Sequence, residues 1–234
     1  MRTSVLSVSL LLLLMSFSAF AADPAIGVAE FTNETSAGWW YGGVGRELAG
    51  MLSNELAATG KFRVVEREKL DKILAEQDLS ESGRVNKATR VKAGKVTGAK
   101  YLVFATVSSF EENTAGTGGG VSFRGINVGG KKQDAYIAVD LRVVDTTTGD
   151  IEYSRSVEAR SSGRGINLGL YRGGFGGNLA KHEKTPAGKA IRGVIIEIAD
   201  YLTCAMVDQD DCMEEFDKKD TSRREKTKKS IKLD

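Results

Sequence analysis

Apolar and polar positions alternate most regularly between residues 101 and 160, and the rest of the chain is arranged around that stretch. In AYIAVDLRVVD (135–145), Ile137, Val139, Leu141 and Val143 alternate with Ala138, Asp140 and Arg142. A period of two sets one row against a core and the other outward, which is the pattern of a half-buried antiparallel strand. The link TTTG (146–149) is short, polar and ends in a glycine able to take positive φ, so it closes a hairpin onto IEYSRSVEAR (151–160). YLVFATVSSFEE (101–112) is the third strand. Elsewhere the period is helical. Val44, Leu48, Met51, Leu52 and Leu56 share one face of a helix over 44–59 that stops at Gly60. A second helix is predicted over 66–77 with Leu70, Ile73 and Leu74 inward, and a weaker one over 87–96. Short strands are predicted at 25–31 and 62–65. Thr185 and Pro186 are the N-cap and first residue of a helix that buries Ala187, Ala190, Ile191, Val194, Ile195, Ile198 and Leu202. The element order predicts an α/β fold, a helix-packed sandwich built on a mixed or antiparallel sheet.

Two segments interrupt this order. Residues 113–133 and 161–184 flank the hairpin and hold most of the glycines of a chain with 27 glycines and 2 prolines. Loops of that length in a compact domain are functional or disordered, so composition singles them out before any motif does. The remaining organisation is a domain over 22–213 between two end segments. At the start, Arg2, the apolar run 5–17 and Ala19-Phe20-Ala21 predict a signal peptide over 1–21, cleaved after Ala21. No cysteine lies beside that site, so export without lipidation is expected. At the other end, residues 214–234 are two-thirds charged and read as a disordered tail.

The formal net charge of +2 gives no global field for nucleic acid. Catalytic chemistry is equally thin. The single histidine, His182, stands beside Lys181 and Glu183 with no serine, cysteine or acid at triad spacing. Gly42-Gly43-Val44-Gly45 opens a helix after a strand, but Leu48 stands where a dinucleotide fingerprint needs glycine and the Walker lysine is absent. Glu66 and Glu68 complement the dipole of the helix they start. Asp208, Asp210 and Asp211 lack the glycine and distal glutamate of a calcium loop. No enzyme, cofactor or metal is predicted. An even pair of cysteines, Cys204 and Cys212, favours a local disulfide in an exported chain, with two buried thiols as the alternative.

The runs FRVVEREKLDKILAEQ (62–77), GAKYLVFATVSSFE (98–111) and, most specifically, GGGVSFRGINVGGKKQDAYIAVDLRVVDTTTGDI (118–151) resemble the CsgG family, the curli secretion channel and its relatives. That resemblance implies a periplasmic α/β domain that assembles with copies of itself into a ring. Each subunit would give two β-hairpins to a shared outer-membrane barrel, for export of extracellular, curli-like polypeptides with periplasmic accessory proteins. The two glycine-rich inserts would be those hairpins. Val121 and Phe123 in the first, and Ile166, Leu168 and Leu170 in the second, are the lipid-facing candidates, although a spanning strand needs roughly 9 to 11 residues. The family's pore constriction lies in the loop before the first helix, which here carries Trp39, Trp40 and Tyr41 and lacks the asparagine-phenylalanine pair of the curli channel. Those aromatics line a ring or bind a partner, or else plug the end of the core. The competing function is a periplasmic scaffold or activator that binds a partner without forming a pore.

Overall fold

The computed structural model describes residues 23–113, 121–123, 126–128, 134–162, 179 and 184–231. The expected signal peptide and Ile166, Leu168 and Leu170 lie outside them. The main sheet has strands β1 (Ala25–Val28), β2 (Thr32–Asn33), β3 (Arg63–Val64), β4 (Tyr101–Asn113), β7 (Asp134–Asp145) and β8 (Ile151–Ser162). Its order is β3-β1-β4-β7-β8, with β2 continuing beyond β1 along the same side of β4. The β1, β2 and β3 pairings are parallel, and β4-β7-β8 is antiparallel. The sheet is open and mixed, and no barrel is formed among the described residues. Strands β5 (Val121–Phe123) and β6 (Ile126–Val128) pair antiparallel as a separate two-stranded sheet.

One face of the main sheet is covered. Val103, Ala105 and Val107 of β4, with Ile137, Val139, Leu141 and Val143 of β7, meet α1 (Val44–Thr59) and α3 (Pro186–Thr203) in a single core. The period-two reading of β7 therefore describes its inner face. Helix α1 ends where glycine permits it: Gly60 is left-handed at φ 67 and its N–H returns to the Ala57 carbonyl. The Thr185 side chain accepts the Gly188 N–H, which satisfies an orphan donor at the start of α3. Among the described residues no helix packs over Phe104 (43%) and Ile151 (53%) on the opposite sheet face, where they are exposed beside Thr106, Arg142 and Val144.

Three sequence expectations are corrected. Helix α2 is Leu70–Glu81, because the Glu66 carboxylate accepts the N–H groups of Glu68 and Lys69 and holds those residues in a turn. Its apolar side is not inward: Ile73 and Leu74 are 40% and 43% exposed, and Ser80 is the residue of that helix that is buried. No helix forms over 87–96. Asn86 caps a single turn through the Ala88 N–H and the Thr89 N–H, and the chain then runs on without regular structure. Residues 214–230, expected as a disordered tail, are helical in α4 (Cys212–Ser230). Glu214–Lys218 and Glu215–Lys219 pairs one turn apart, with acids in the first turn and lysines in the last, support it locally. Its N-terminal half also packs, since Phe216 meets the Tyr201 ring edge-on at 5.5 Å.

Candidate functional site

Strand register brings the insert boundaries to one end of the sheet. Asn113, the last residue of β4, pairs with Asp134, the first of β7, and Asp134 pairs with Ser162, the last of β8. The chain therefore leaves this end into both glycine-rich segments. It returns from the second at Leu179, which is fully buried and whose N–H donates to Glu47 Oε2 at 3.1 Å. Glu47, in the first turn of α1, thus ties that return limb to the core.

The aromatic loop reaches the same end. Along β4, β1 runs beside 101–103 and β2 beside 106–107, and the Glu34 N–H then donates to the Val107 carbonyl. The chain climbs toward Phe110 and turns there on Asn33, whose Oδ1 accepts from both the backbone and the hydroxyl of Thr35. Trp39 sits edge-on to Phe110 at 5.4 Å and to Trp40 at 5.6 Å. It is 3% exposed and belongs to the core. Trp40 and Tyr41 pack on the core from outside and are half-buried. Of the three sequence candidates, these two present surface.

The electrostatics keep this end neutral at its aromatic positions. Burial, with the Glu47 carboxylate adding to it, raises the Tyr41 phenol above its usual value. Burial also pushes Tyr136 up to about 12, with Glu158 adding and Arg160 opposing. The Arg160 guanidinium lies over the Tyr136 ring at 4.8 Å. Trp39 Nε1, Tyr41 Oη and Ser161 Oγ are buried without a hydrogen-bond partner among the described residues.

The glycines that resemble a phosphate turn have a packing role. Gly43 is left-handed at φ 96, and a Cβ on Gly45 would stand 2.3 Å from the Phe31 carbonyl oxygen. Cys204 and Cys212 are joined by a disulfide. Their sulfurs lie near Asp210, but neither is free to act as a thiolate ligand. None of the described helices is long and apolar enough to cross a membrane. Sequence reasoning missed Glu47, Phe110 and Leu179. Only Glu47 had a local signal, an acid in a helix's first turn, and that signal points to the dipole rather than to a partner 132 positions away.

An open α/β sheet thus gathers two insert boundaries and an aromatic loop at one end. The family model described as "Curli production assembly/transport component CsgG" matches residues 10–231, and the chain belongs to that family. It is 28% identical over 133 residues to the curli production assembly/transport component CsgG of Salmonella typhimurium (strain LT2) and to that of Escherichia coli (strain K12). Each match covers 55% of this chain and 48% of the relative, so the chain matches about half the length of these relatives. Among solved structures, the hypothetical protein CT253 from Chlamydia trachomatis is similar at a TM-score of 0.48 and 15% identity, over 80% of this chain and 99% of that one. A likeness at that level has no bearing on function.

Proposed function

We propose that this chain is a subunit of an outer-membrane secretion channel, a passive pore for extracellular, curli-like polypeptides. In this reading residues 113–133 and 161–184 are its two barrel hairpins. The observation that carries the reading is the in-register termination Asn113–Asp134–Ser162, because three paired strands leaving a sheet together can continue as barrel strands. Closure of such a barrel takes several copies, so the chain works as a homo-oligomeric ring, with periplasmic accessory proteins as further partners. Trp40 and Tyr41, at the same end, are the constriction candidates. Ile166, Leu168 and Leu170, with Val121 and Phe123, face lipid.

A parity experiment tests this. Leu168→Arg puts a charge on the lipid face, at a cost of roughly 2 to 4 kcal/mol near the bilayer midplane. Asn167→Arg, one step away, points into the lumen. Leu168→Arg is expected to abolish outer-membrane insertion and ring assembly, while Asn167→Arg leaves assembly intact and alters conductance at most. Equal behaviour of the two variants, with both proteins free in the periplasm, would favour the second reading, a periplasmic scaffold or activator. The uncovered sheet face with Phe104 and Ile151 exposed favours that alternative, since contiguous apolar surface marks a binding site.

A further inference from the structure

The charge along α4 is uneven. In its N-terminal half every acid is paired: Glu214 with Lys218, Glu215 with Lys219, Asp217 with Arg155, and Asp220 with Arg223 and Arg224. Beyond Arg224, Lys226, Lys228 and Lys229 are exposed and have no ionic partner among the described residues. These three lie at different azimuths around the helix, as suits an end that projects past its packing.

The direction of that end follows from two clamps. Arg155 donates to the Phe216 carbonyl at 2.6 Å, and Arg223 meets Glu158 at 3.6 Å. From 216 to 223 a helix advances about 10 Å, and from 155 to 158 a strand advances about 10 Å. Helix α4 therefore runs alongside β8 in the same direction. Another six residues, about 9 Å, bring Lys229 to the level of Ser161. That is the end of the sheet from which both inserts depart.

We infer that the basic end of α4 is a contact surface for an anionic membrane leaflet. The inference rests on the channel reading for its orientation, because a membrane that receives the inserts would lie at the level of these lysines. Lysines at the helix C-terminus also complement its dipole, but that effect is confined to the helix and does not distinguish one lipid from another.

The test uses the full mature chain, alone and with Leu168→Arg. Each protein is sedimented with vesicles of phosphatidylethanolamine containing phosphatidylglycerol, and with vesicles of phosphatidylcholine alone. Each juxtamembrane lysine changes affinity for an anionic surface roughly fivefold. The triple change Lys226→Gln, Lys228→Gln and Lys229→Gln is therefore expected to weaken salt-sensitive binding to the anionic vesicles on the order of a hundredfold. Binding in the parent should be lost in about 1 M salt, where the screening length is about 3 Å. A control with the same net charge, Lys69→Gln, Lys72→Gln and Lys87→Gln, removes exposed lysines elsewhere and should stay within about twofold of the parent.

Equal binding of the two triple variants overturns the inference, as does equal binding of the parent to both kinds of vesicle. Competition by inorganic phosphate, or preference for polyglutamate over anionic vesicles, also overturns it, by assigning the lysines to a small anion or an acidic polypeptide. Circular dichroism of α4 in both triples separates loss of the helix from loss of contact. Carbonate-resistant insertion reports on the hairpins independently. If Leu168→Arg leaves that insertion unchanged the channel reading fails, while the lysine comparison still decides the surface.

Discussion

Gly45 stands where α1 comes nearest to the chain that precedes it. The Phe31 N–H donates to the Gly45 carbonyl, and a Cβ would meet the Phe31 carbonyl oxygen at 2.3 Å, backbone against backbone. Gly45→Ala is expected to lower stability by roughly 1 to 3 kcal/mol, read as a lower denaturation midpoint at unchanged slope. Glu47 predicts a different pattern. Glu47→Ala leaves the buried Leu179 N–H unpaired, at a cost of about 1 to 3 kcal/mol, whereas Glu47→Gln keeps an acceptor and should recover most of it. A third residue effect depends on pH. Burial raises Glu55 above the usual carboxylate range and Asp200 adds to it; Asp200 is itself raised by burial and Glu197, with Lys219 opposing. A carboxyl whose folded value is raised holds its proton more tightly when folded, so its stabilising share is full below the unfolded value and is lost as pH rises through the folded one. Glu55→Gln should therefore raise Tm at about pH 7 and leave it nearly unchanged at about pH 3. The same gain at both values would remove the electrostatic account.

At the scale of elements, α4 depends on a corner and a clamp. The corner is a π-helical turn, Cys204–Asp208, closed by Gln209 at φ 48 with its N–H on the Cys204 carbonyl. The disulfide to Cys212 fixes the next helix to it, with a Cα–Cα distance of 6.0 Å. Closing a loop of this size stabilises by about 2 to 3 kcal/mol in the chain-entropy model. Cys212→Ser should lower the unfolding free energy by that amount, read as a lower denaturation midpoint, and labelling of two free thiols per denatured, unreduced chain would contradict the bond. The clamp is Arg155, which is on the inner face of β8 opposite Leu141. It is covered by the Tyr201 ring at 4.9 Å and the Phe216 ring at 5.6 Å while bonding to Phe216 and Asp217. Lysine cannot reproduce that stacked fork. Arg155→Lys is expected to speed amide exchange across α4 and leave β7 protection intact. Uniform loss of protection would make α4 part of the cooperative core instead.

At the scale of the whole molecule, the sheet has one face built for packing and one that is open among the described residues. Phe104→Lys with Ile151→Lys adds charge where there is already solvent, so unfolding stability should stay within about 0.5 kcal/mol of the parent. Membrane insertion that persists in that double variant agrees with the channel. Loss of a co-purified periplasmic partner, with stability intact, would assign the open face to the scaffold function.

Much of this architecture is written locally. The bounds of α1, the Gly60 stop, the Thr185–Pro186 start of α3 and the alternation along β7 rest on period, capping and turn chemistry. Such signals act within a few residues, so the sequence alone determined them. It also determined the chain's family, through motifs that span the first insert and the strand after it. Tertiary structure decided what depends on distant partners. Leu70, Ile73 and Leu74 have the spacing of a packed helix, yet among the described residues no element covers Ile73 and Leu74. The charged run after Met213 lacks an apolar stripe, yet Arg155 and Glu158, some sixty positions earlier, hold it as a helix. The parallel order β3-β1-β4 carries no local mark. Neither does the meeting of Trp39 with Phe110 and of Glu47 with Leu179, because a hydrogen bond or ring contact across 71 or 132 positions exists only once the sheet has set its register.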